Sequence, residues 1–338
     1  MLIGIAYDLK SDFAHLAKAD SKAPDDLLEE FDSLATIEGI EGALTGAGHR
    51  VVRLGGGKQL VRALLERPVD LVFNIAEGFG SRSREAHVPA LCEMLGVPYT
   101  HSDPLTCATT LDKGVAKRLV QAAGIPTAGF AVIEDLRDIE TLALEFPLFA
   151  KPLCEGSSMG IRDQKARCDD RAALAERVGS ILAAYGQPAL VEEFLPGVEA
   201  TVGILGTGKT ARILGTMEVV PLREAPADFV YSIDVKRDVN FAERIEYVVP
   251  PRQPPALIAL MEEVALSAYR VLGCRDVGRV DLRVARDGTP KFLEVNPLPG
   301  LKPGWSDLAI LAGKAGMEYE QLILAIVAGA SQRLGLRA

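Results

Sequence analysis

Residues 278–300 predict two short strands joined by a turn, with polar and apolar side chains in alternation. Because successive side chains on a strand point to opposite faces, Arg279 and Asp281 share one face of the first strand. Glu294 and Asn296 share one face of the second strand for the same reason. If the strands pair as a hairpin, this face gathers an arginine, two carboxylates and a carboxamide. The opposite, apolar face would be formed by Val280, Leu282, Leu293 and Val295.

Two carboxylates in such a position favour a bound cation. At a separation of about 4 Å they repel each other by roughly 1 kcal/mol in water and by roughly 4 kcal/mol at an effective dielectric constant of about 20. Oxygen ligands from Asp281, Glu294 and Asn296 suit Mg²⁺ rather than zinc. The alternative is an ordinary amphipathic hairpin whose charged face lies in water. The break at Asn296-Pro297 and the rigid run to Gly300 favour the metal site.

The composition is that of a folded globular protein with an acidic surface. The 338 residues are 48% hydrophobic and 25% charged, and 46 acidic against 37 basic residues give a net charge of −9. An acidic chain without a lysine or arginine cluster is a poor partner for nucleic acid or for an anionic membrane. No apolar run approaches the roughly 18 residues that a membrane span requires. The five widely spaced cysteines indicate a reducing compartment, so we expect a cytoplasmic protein.

The first hundred residues alternate between strand and helix, which favours a parallel sheet covered by helices. Strands are predicted at 2–7, 50–54, 69–75 and 97–99, and helices at 34–46, 58–66 and 86–95. Residues 10–30 mix Lys, Asp, Ser and Pro and predict an exposed loop.

The rest of the chain predicts two further units. The second unit has helices at 112–123, 137–145 and 170–184 and strands at 129–133, 146–151 and 189–193. The third has strands at 200–205 and 211–219, a helix at 255–272, the hairpin, and a last helix at 318–333. The polar stretch 221–247 predicts either a mobile lid over a site, which we favour, or a disordered loop. The predicted domains are therefore 1–103, 104–195 and 196–338.

Three further groups of residues fit a nucleotide. Lys151 ends an apolar strand and precedes a Gly/Ser-rich turn whose backbone N–H groups can approach a phosphate. Glu192 and Glu199 lie where another apolar strand ends, and a carboxylate there can accept from an adenine amino group or from ribose hydroxyls. Lys113 and Lys236 belong to units that must face each other. Each group alone has a structural alternative: a plain turn for the first, a solvated strand end for the second and surface lysines for the third.

In their order and spacing these segments resemble the ATP-grasp superfamily, and within it the D-alanine–D-alanine ligase family. The motifs that carry the resemblance are LGVPYTHSDPLTCATTLDK (95–113), FAKPLCEGSSMGI (149–161), LVEEFLPGVEATVGILG (190–206), GRVDLRV (278–284) and LEVNPLPGL (293–301). The resemblance implies an α/β protein of three domains. An N-terminal Rossmann-like domain with a parallel sheet would be followed by two α+β subdomains that grip ATP.

The resemblance also implies roles for individual residues. The ATP phosphates would be contacted by three lysines and two serines: Lys113, Lys151, Lys236, Ser157 and Ser158. The base and the ribose would be held by one segment that contains Glu192, Glu193, Leu195 and Glu199. Two Mg²⁺ ions, for which Mn²⁺ is an alternative, would be bound by Asp281, Glu294 and Asn296. Catalysis would involve Arg279 and the Gly300 amide, which stabilise a tetrahedral intermediate, together with Ser157 and Lys236.

The amino-acid-binding segments depart from the family pattern. The Glu-Arg-Glu-Val-Ser signature, whose glutamate holds the first substrate's ammonium group, has its nearest counterpart in Glu29-Glu30-Phe31-Asp32-Ser33. The Gly-Glu-Asp-Gly segment is replaced by Ser83-Arg84-Glu85-Ala86, and the lid tyrosine by Arg237. The Ser/Thr-rich segment that binds the second substrate's carboxylate is replaced by residues 301–306. These departures concern the substrates and leave the reaction type intact.

Three functions are compatible with these residues. The first is an ATP-dependent carboxylate–amine ligase that joins two amino acids, such as D-alanine, through an acyl phosphate. The second is the same chemistry on other amino-acid or peptide substrates. The third is a nucleotide-binding regulatory protein without turnover, against which Arg279 weighs because ATP binding alone needs no oxyanion group. The expected partners are small amino-acid substrates and, as among relatives, a second copy in a homodimer.

Overall fold

The structure is a computed structural model that describes residues 1–19, 24–162 and 166–336. Within these ranges the strands form three sheets, of which the first is parallel with the strand order β2-β1-β3. Its strands are β1 (Leu2–Ala6), β2 (Arg50–Gly55) and β3 (Leu71–Asn74). The predicted strand at 97–99 is reduced to a single bridge between Val72 and Tyr99.

Helices cover both faces of this sheet, as its apolar strands require. The helices of this unit are α1 (Lys10–Ala19), α2 (Leu34–Gly46), α3 (Gly57–Glu66) and α4 (His87–Leu95), of which α2, α3 and α4 cover the sheet. One face packs against α2 in a core that contains the buried side chains of Ile3 and Phe73. The other face packs against α3 and α4 through Leu60 and Cys92.

The prediction of an exposed loop over 10–30 is wrong for its first part. Residues 10–19 form helix α1, whose first turn carries Asp12, an acidic residue at the favourable end of the helix dipole. Residues 25–30 form turns that lead to α2. The prediction for 20–23 lies outside the described residues.

The second sheet is antiparallel, with the strand order β4-β7-β5-β6. Its strands are β4 (Phe130–Ile133), β5 (Leu148–Pro152), β6 (Arg167–Cys168) and β7 (Ala189–Glu193). Its helices are α5 (Pro104–Leu111), α6 (Lys113–Ala122) and α7 (Arg171–Tyr185). Asp103 and Asp112 cap α5 and α6 by accepting hydrogen bonds from backbone N–H groups, so a new helix begins directly after each of these two aspartates. The predicted helix at 137–145 is wrong, because only a short 3₁₀ helix, Leu136–Thr141, forms there.

The third sheet is antiparallel as well, with the strand order β10-β9-β8-β11-β12. Its strands are β8 (Glu199–Leu205), β9 (Arg212–Pro221), β10 (Ile245–Val248), β11 (Val277–Val284) and β12 (Pro290–Asn296). The helices of this part are α8 (Ile233–Arg237), α9 (Phe241–Arg244), α10 (Pro255–Val271), α11 (Asp307–Lys314) and α12 (Tyr319–Leu334). Helix α10 packs on one face of the sheet. Helices α11 and α12 belong to the core that also holds α2 and the first sheet, so the third sheet is packed onto the first unit.

The predicted α/β architecture is thus confirmed. Each sheet lies within one of the three ranges predicted as domains, and the boundaries at 103 and 195 stay predictions. The polar stretch after β9 carries α8 and α9, and a mobile lid stays a prediction; residues 222–244 are called the lid segment below.

Strands β11 and β12 form the predicted hairpin, with Asp281 opposite Glu294. A bulge after Asp281 shifts the register by one residue. Phe292 therefore joins the buried face, where sequence alternation placed Leu293. Leu293 is half-buried and lines a cavity on the polar side of the hairpin.

Candidate active site

A cleft lies between the second and third sheets and continues toward the loops of the first sheet. It consists of two adjoining cavities that share Lys113, Lys236, Arg279 and Glu294 in their walls. The first cavity is lined by twelve of the predicted residues: Lys113, Lys151, Ser157, Ser158, Glu192, Glu193, Leu195, Glu199, Lys236, Arg279, Asp281 and Glu294. Asn296 and Gly300 line the second cavity, which has a volume of about 760 Å³. The structure therefore brings all the predicted site residues to one cleft.

Two lysines approach Glu294 from the side of the second sheet. The Nζ atoms of Lys113, the first residue of α6, and of Lys151, on β5, lie 3.6 and 3.5 Å from Glu294 Oε2. Burial opposes the charge on Glu294, but these lysines and Arg279 outweigh it and lower the pKa of Glu294 to about 2. Two ammonium groups beside an ionised carboxylate can hold a phosphate together with a divalent cation.

Glu192 is buried between two lysines at the base of the first cavity. The Nζ atoms of Lys117 and Lys151 lie 2.5 and 3.2 Å from its carboxylate oxygens. Burial opposes ionisation of Glu192, yet the two lysines lower its pKa below the ordinary value. Lys117 was not predicted, although it follows Lys113 by one helical turn and so shares its helix face.

The other residues predicted to bind the base and the ribose have different contacts. Leu195 is buried, and Glu199 lies at the start of β8 with its carboxylate 3.4 Å from Arg283. Burial raises the pKa of Glu199 in spite of that arginine. The exposed Glu193 carboxylate instead accepts from the N–H of Gly129 at 3.0 Å, so its side chain is engaged by the loop before β4.

Asp281 is fixed by three neighbours. It accepts hydrogen bonds from Thr201 Oγ1 at 2.8 Å, from Arg279 Nε and Nη2 at 3.0 and 2.9 Å, and from Asn296 Nδ2 at 3.1 Å. Among residues 1–19, 24–162 and 166–336, no three His, Cys, Asp or Glu side chains are grouped so that they could hold a metal ion by themselves. The hairpin thus offers two carboxylates and one amide oxygen. This incomplete shell fits Mg²⁺, which is usually bound by one or two carboxylates together with substrate phosphates.

Arg279 is held between two carboxylates, one of which was not predicted. Asp307, at the start of α11, lies 3.3 Å from Arg279 Nη1 on the side away from Asp281. Its other oxygen accepts from Tyr247 Oη at 2.8 Å and from Tyr231 Oη at 3.3 Å. Burial alone would lower the pKa of Arg279, but the two carboxylates raise it, so the guanidinium is a fixed positive charge. No sequence pattern linked Asp307 to Arg279.

The lid segment meets the Gly/Ser-rich turn after β5. Ser157 and Ser158 have φ angles of +48° and +60°, a left-handed conformation that favours glycine and here makes a tight turn. Ser158 Oγ donates to the carbonyl of Tyr231 at 3.2 Å. The Nζ atom of Lys236, on α8, lies 4.6 Å from the centre of the Tyr231 ring and faces both cavities. The predicted phosphate-binding turn and the lid lysine are therefore in one contact network.

The far side of the lid segment is tied to the turn before α2. Arg237 pairs with Asp25 and with Glu29, each at 2.7 Å. Glu29 also pairs with Lys10 at 3.1 Å. These ion pairs of Arg237 join the lid segment to the first unit.

Two of the segments that depart from the family pattern contact each other. The buried Arg84 lies 2.5 Å from Glu30 Oε2 and 3.2 Å from Glu155 Oε2, and it donates to the Cys154 carbonyl at 2.9 Å. Glu30 also accepts from the N–H of Gly156. Both carboxylate oxygens of Glu30 are thus engaged, and Arg84 links the first unit to the turn after β5.

The second cavity ends at residues 301–306. The hydroxyl of Ser306 accepts from the Lys302 N–H at 3.0 Å, and a Cβ atom on Gly300 would lie 2.9 Å from it. The Nζ atom of Lys302 lies 5.0 Å from the centre of the Trp305 ring. Ser306 therefore stabilises the local turn, and glycine at 300 leaves room for its hydroxyl.

A cleft between two antiparallel sheets, lined by lysines and carboxylates in this order, is the architecture of an ATP-grasp enzyme. The family model for the D-alanine–D-alanine ligase C-terminus matches residues 119–328. A D-alanine–D-alanine ligase of Chelativorans sp. (strain BNC1) is 32% identical over 88% of this chain and 93% of its own length. An uncharacterised protein, y4sG, of Sinorhizobium fredii is 34% identical over 88% of this chain and 87% of its own length.

A solved structure has the same fold. The D-alanine–D-alanine ligase of Bacillus anthracis complexed with ATP has a TM-score of 0.74 and 23% identity, over 98% of this chain and 97% of that one. The chain belongs to the D-alanine–D-alanine ligase family, and it is an ATP-dependent ligase. None of the helices in the described ranges is long and apolar enough to cross a membrane.

Proposed function

We propose that the protein joins two amino acids into a dipeptide through an acyl phosphate, with Mg²⁺ bound at the hairpin. The observation that carries this proposal is Arg279, a guanidinium that is only 14% exposed, is fixed beside Asp281 and lines the same cavity as the lysines of the predicted phosphate site. A protein that only binds ATP needs no group that stabilises the oxyanion of a tetrahedral intermediate.

The nucleotide would lie in the first cavity. Lys113, Lys151 and Lys236 supply three positive charges around the predicted phosphate position. Asp281, Glu294 and Asn296 would hold Mg²⁺, which supplies charge neutralisation on the phosphates when bound. With these charges in place, a substrate carboxylate can attack the γ-phosphorus and form the acyl phosphate with release of ADP.

The second step would take place in the second cavity. The amine of the second amino acid attacks the acyl carbon, and negative charge develops on the carbonyl oxygen. Arg279 and the Gly300 N–H line this cavity and would stabilise that oxyanion, a contribution of about 10²–10³ in rate for a single donor. The lid segment would exclude water, which otherwise hydrolyses the acyl phosphate. Phosphate leaves and the amide remains.

The names of the relatives make D-alanine the first substrate to test in both positions. We also carry forward three predictions: the domain ranges 1–103, 104–195 and 196–338, a cytoplasmic location, and a homodimer. Sedimentation of the purified protein measures the oligomeric state directly.

The test is phosphate release from ATP and Mg²⁺ in the presence of pairs of D- and L-amino acids, followed by mass spectrometry of the product. We expect phosphate and an amide in equal amounts for at least one pair. ATP binding without phosphate release across the whole panel would contradict the proposal and favour a regulatory protein.

A further inference from the structure

We propose that the amino acid bound nearest the first sheet carries a second positive charge on its side chain, as a diamino acid does. Its receptor would be the acidic wall of the second cavity, formed by Asp32, Glu77 and Glu85. This inference rests on the proposed function, because it names the substrate class of the same cleft.

The acidic wall lies at the edge of the first sheet where ligands usually bind. Asp32 belongs to the connection between β1 and β2, and Glu77 and Glu85 belong to the connection between β3 and α4. Strands β1 and β3 are neighbours in the parallel sheet, so both connections leave from its carboxyl edge. Open α/β sheets bind their ligands at this edge.

Glu85 shows that a donor is missing from the wall. The side chain lines the second cavity and is only 8% exposed. Its Oε2 atom is buried and has no hydrogen-bond partner among the described residues. A buried acceptor without a donor destabilises a protein, and a charged acceptor does so more strongly than a neutral one. An ammonium group in the cavity would supply the donor.

The other acids at this cavity already have cations. Glu30 is paired with Arg84, Glu29 with Lys10, and Asp307 with Arg279. Glu294 lies beside Lys113 and Lys151.

Within the part of the chain that the structure describes, no cation is paired with the acidic wall in this way, although Thr36 donates a hydrogen bond to Asp32. Burial is the main cause that raises the pKa of Asp32 and of Glu85, each to about 7, and it raises that of Glu77 well above its ordinary value. Lys10 and Lys302 act on Asp32, and Arg84 and Lys113 act on Glu85, without offsetting the burial. Arg84 is shared with Glu30 and Glu155, and Lys113 would face the phosphates.

One α-ammonium group cannot compensate the three carboxyl groups of this wall, of which Glu85 is buried and Asp32 and Glu77 are half-buried. A second ammonium group on the side chain brings the second charge and further N–H donors to the same wall. The cavity has the room, because its volume of about 760 Å³ lies within the roughly 300–1,000 Å³ of pockets that hold drug-sized ligands. Two alanine methyl groups would leave much of it unfilled.

The test compares amino acids of equal length that differ in one charge. Calorimetry on the protein saturated with Mg²⁺ and a non-hydrolysable ATP analogue would use ornithine against norleucine, and 2,4-diaminobutyrate against norvaline, in D and L forms. We expect at least one diamino acid to bind about tenfold or more tightly than its neutral counterpart, a difference of about 1.4 kcal/mol. Glu85→Gln, which keeps the shape and removes the charge, should abolish this preference. Glu320→Gln, at an exposed site on α12, is the matched control and should retain it.

Equal binding of charged and neutral partners, or an unchanged preference in Glu85→Gln, would overturn the inference. If Glu85→Gln does not fold, Asp32→Asn takes its place with the same expected loss. Phosphate release with neutral amino acids and no diamino preference would leave the ligase standing and refute the inference alone. A diamino preference in binding without phosphate release from any pair would refute the ligase instead.

Discussion

The substitution Arg279→Lys tests the oxyanion role of this arginine without removing its charge. Arg279 makes two hydrogen bonds to Asp281, at 3.0 and 2.9 Å, and one ion pair to Asp307, at 3.3 Å. Truncation to alanine would leave both carboxylates without a cation, and for the buried Asp307 the loss of its partner costs up to about 3–5 kcal/mol of stability. Lysine keeps a positive charge between the carboxylates but cannot reproduce the planar fork of donors.

The expected effect follows from which contacts remain. A single ammonium group can stay near Asp281 or Asp307 but not both, so we expect the melting temperature to fall, though by less than in Arg279→Ala. It cannot present a second N–H in a fixed direction to the developing oxyanion, so kcat for amide formation should fall by about 10²–10³, or about 2.7–4 kcal/mol. ATP binding should be nearly unchanged, because Arg279 lies beside the metal ligands and away from the purine segment.

The assay is phosphate release and amide yield with an amino-acid pair that the unsubstituted protein uses, combined with calorimetry of ATP binding. Arg252→Lys is the matched control, since that side chain is 60% exposed and pairs with Glu246 at the surface. A turnover in Arg279→Lys close to that of Arg252→Lys would refute the oxyanion role. A parallel loss of ATP affinity would show instead that the arginine supports the nucleotide site.

Three further predictions concern the metal site, the lid and pH. Glu294→Gln should weaken the dependence of ATP binding on Mg²⁺, which calorimetry with and without Mg²⁺ would measure. If ATP binding by the variant depends on Mg²⁺ as strongly as before, Glu294 is not a metal ligand. Arg237→Gln removes the ion pairs that hold the lid segment, so water should reach the acyl phosphate and hydrolyse it. Phosphate release should then exceed amide formation. Equal amounts of phosphate and amide would contradict the role of the lid segment. The ligand-free protein should lose stability as the pH rises from about 4 to about 7. The pKa values of Asp32 and Glu85 are raised to about 7 in the folded protein, so their stabilising effect is complete below the unfolded value of about 4 and is lost as the pH rises through about 7. A flat melting temperature over this range, measured by calorimetry, would contradict the raised values.

The sequence was sufficient for the elements with strong periodicity. The two-residue alternation around Asp281 and Glu294 predicted both the hairpin and the face on which its carboxylates meet. The bulge that turns Leu293 toward the cavity has no signature in the local sequence, because a register shift depends on how β12 pairs with β11. The alternation within one strand therefore predicts which face of the sheet is polar, but it does not predict every residue on that face.

Other features were visible locally and were still missed. Asp103-Pro104 is an N-cap followed by a proline at the first helical position, which is a direct signal for α5. The contacts of Arg84 with Glu30 and of Asp307 with Arg279 are different, because each joins segments far apart in the chain. No periodicity reports such pairs, and only the packing of the first unit against the cleft brings them together.

The residues that follow the family pattern and the residues that depart from it lie on different parts of the fold. The groups proposed for phosphoryl transfer lie on regular elements of the second and third sheets, for example Lys151 on β5 and Asp281 on β11, where a shift of one residue would turn them to the wrong face. The acidic wall lies on connections that follow strands of the first sheet, and such connections tolerate substitution without loss of the scaffold. Changes there can select another amino acid while the positions of the reacting groups stay fixed. Substitutions in the wall should therefore alter kcat/KM between substrates, whereas substitutions on β5 or β11 should lower turnover for all of them.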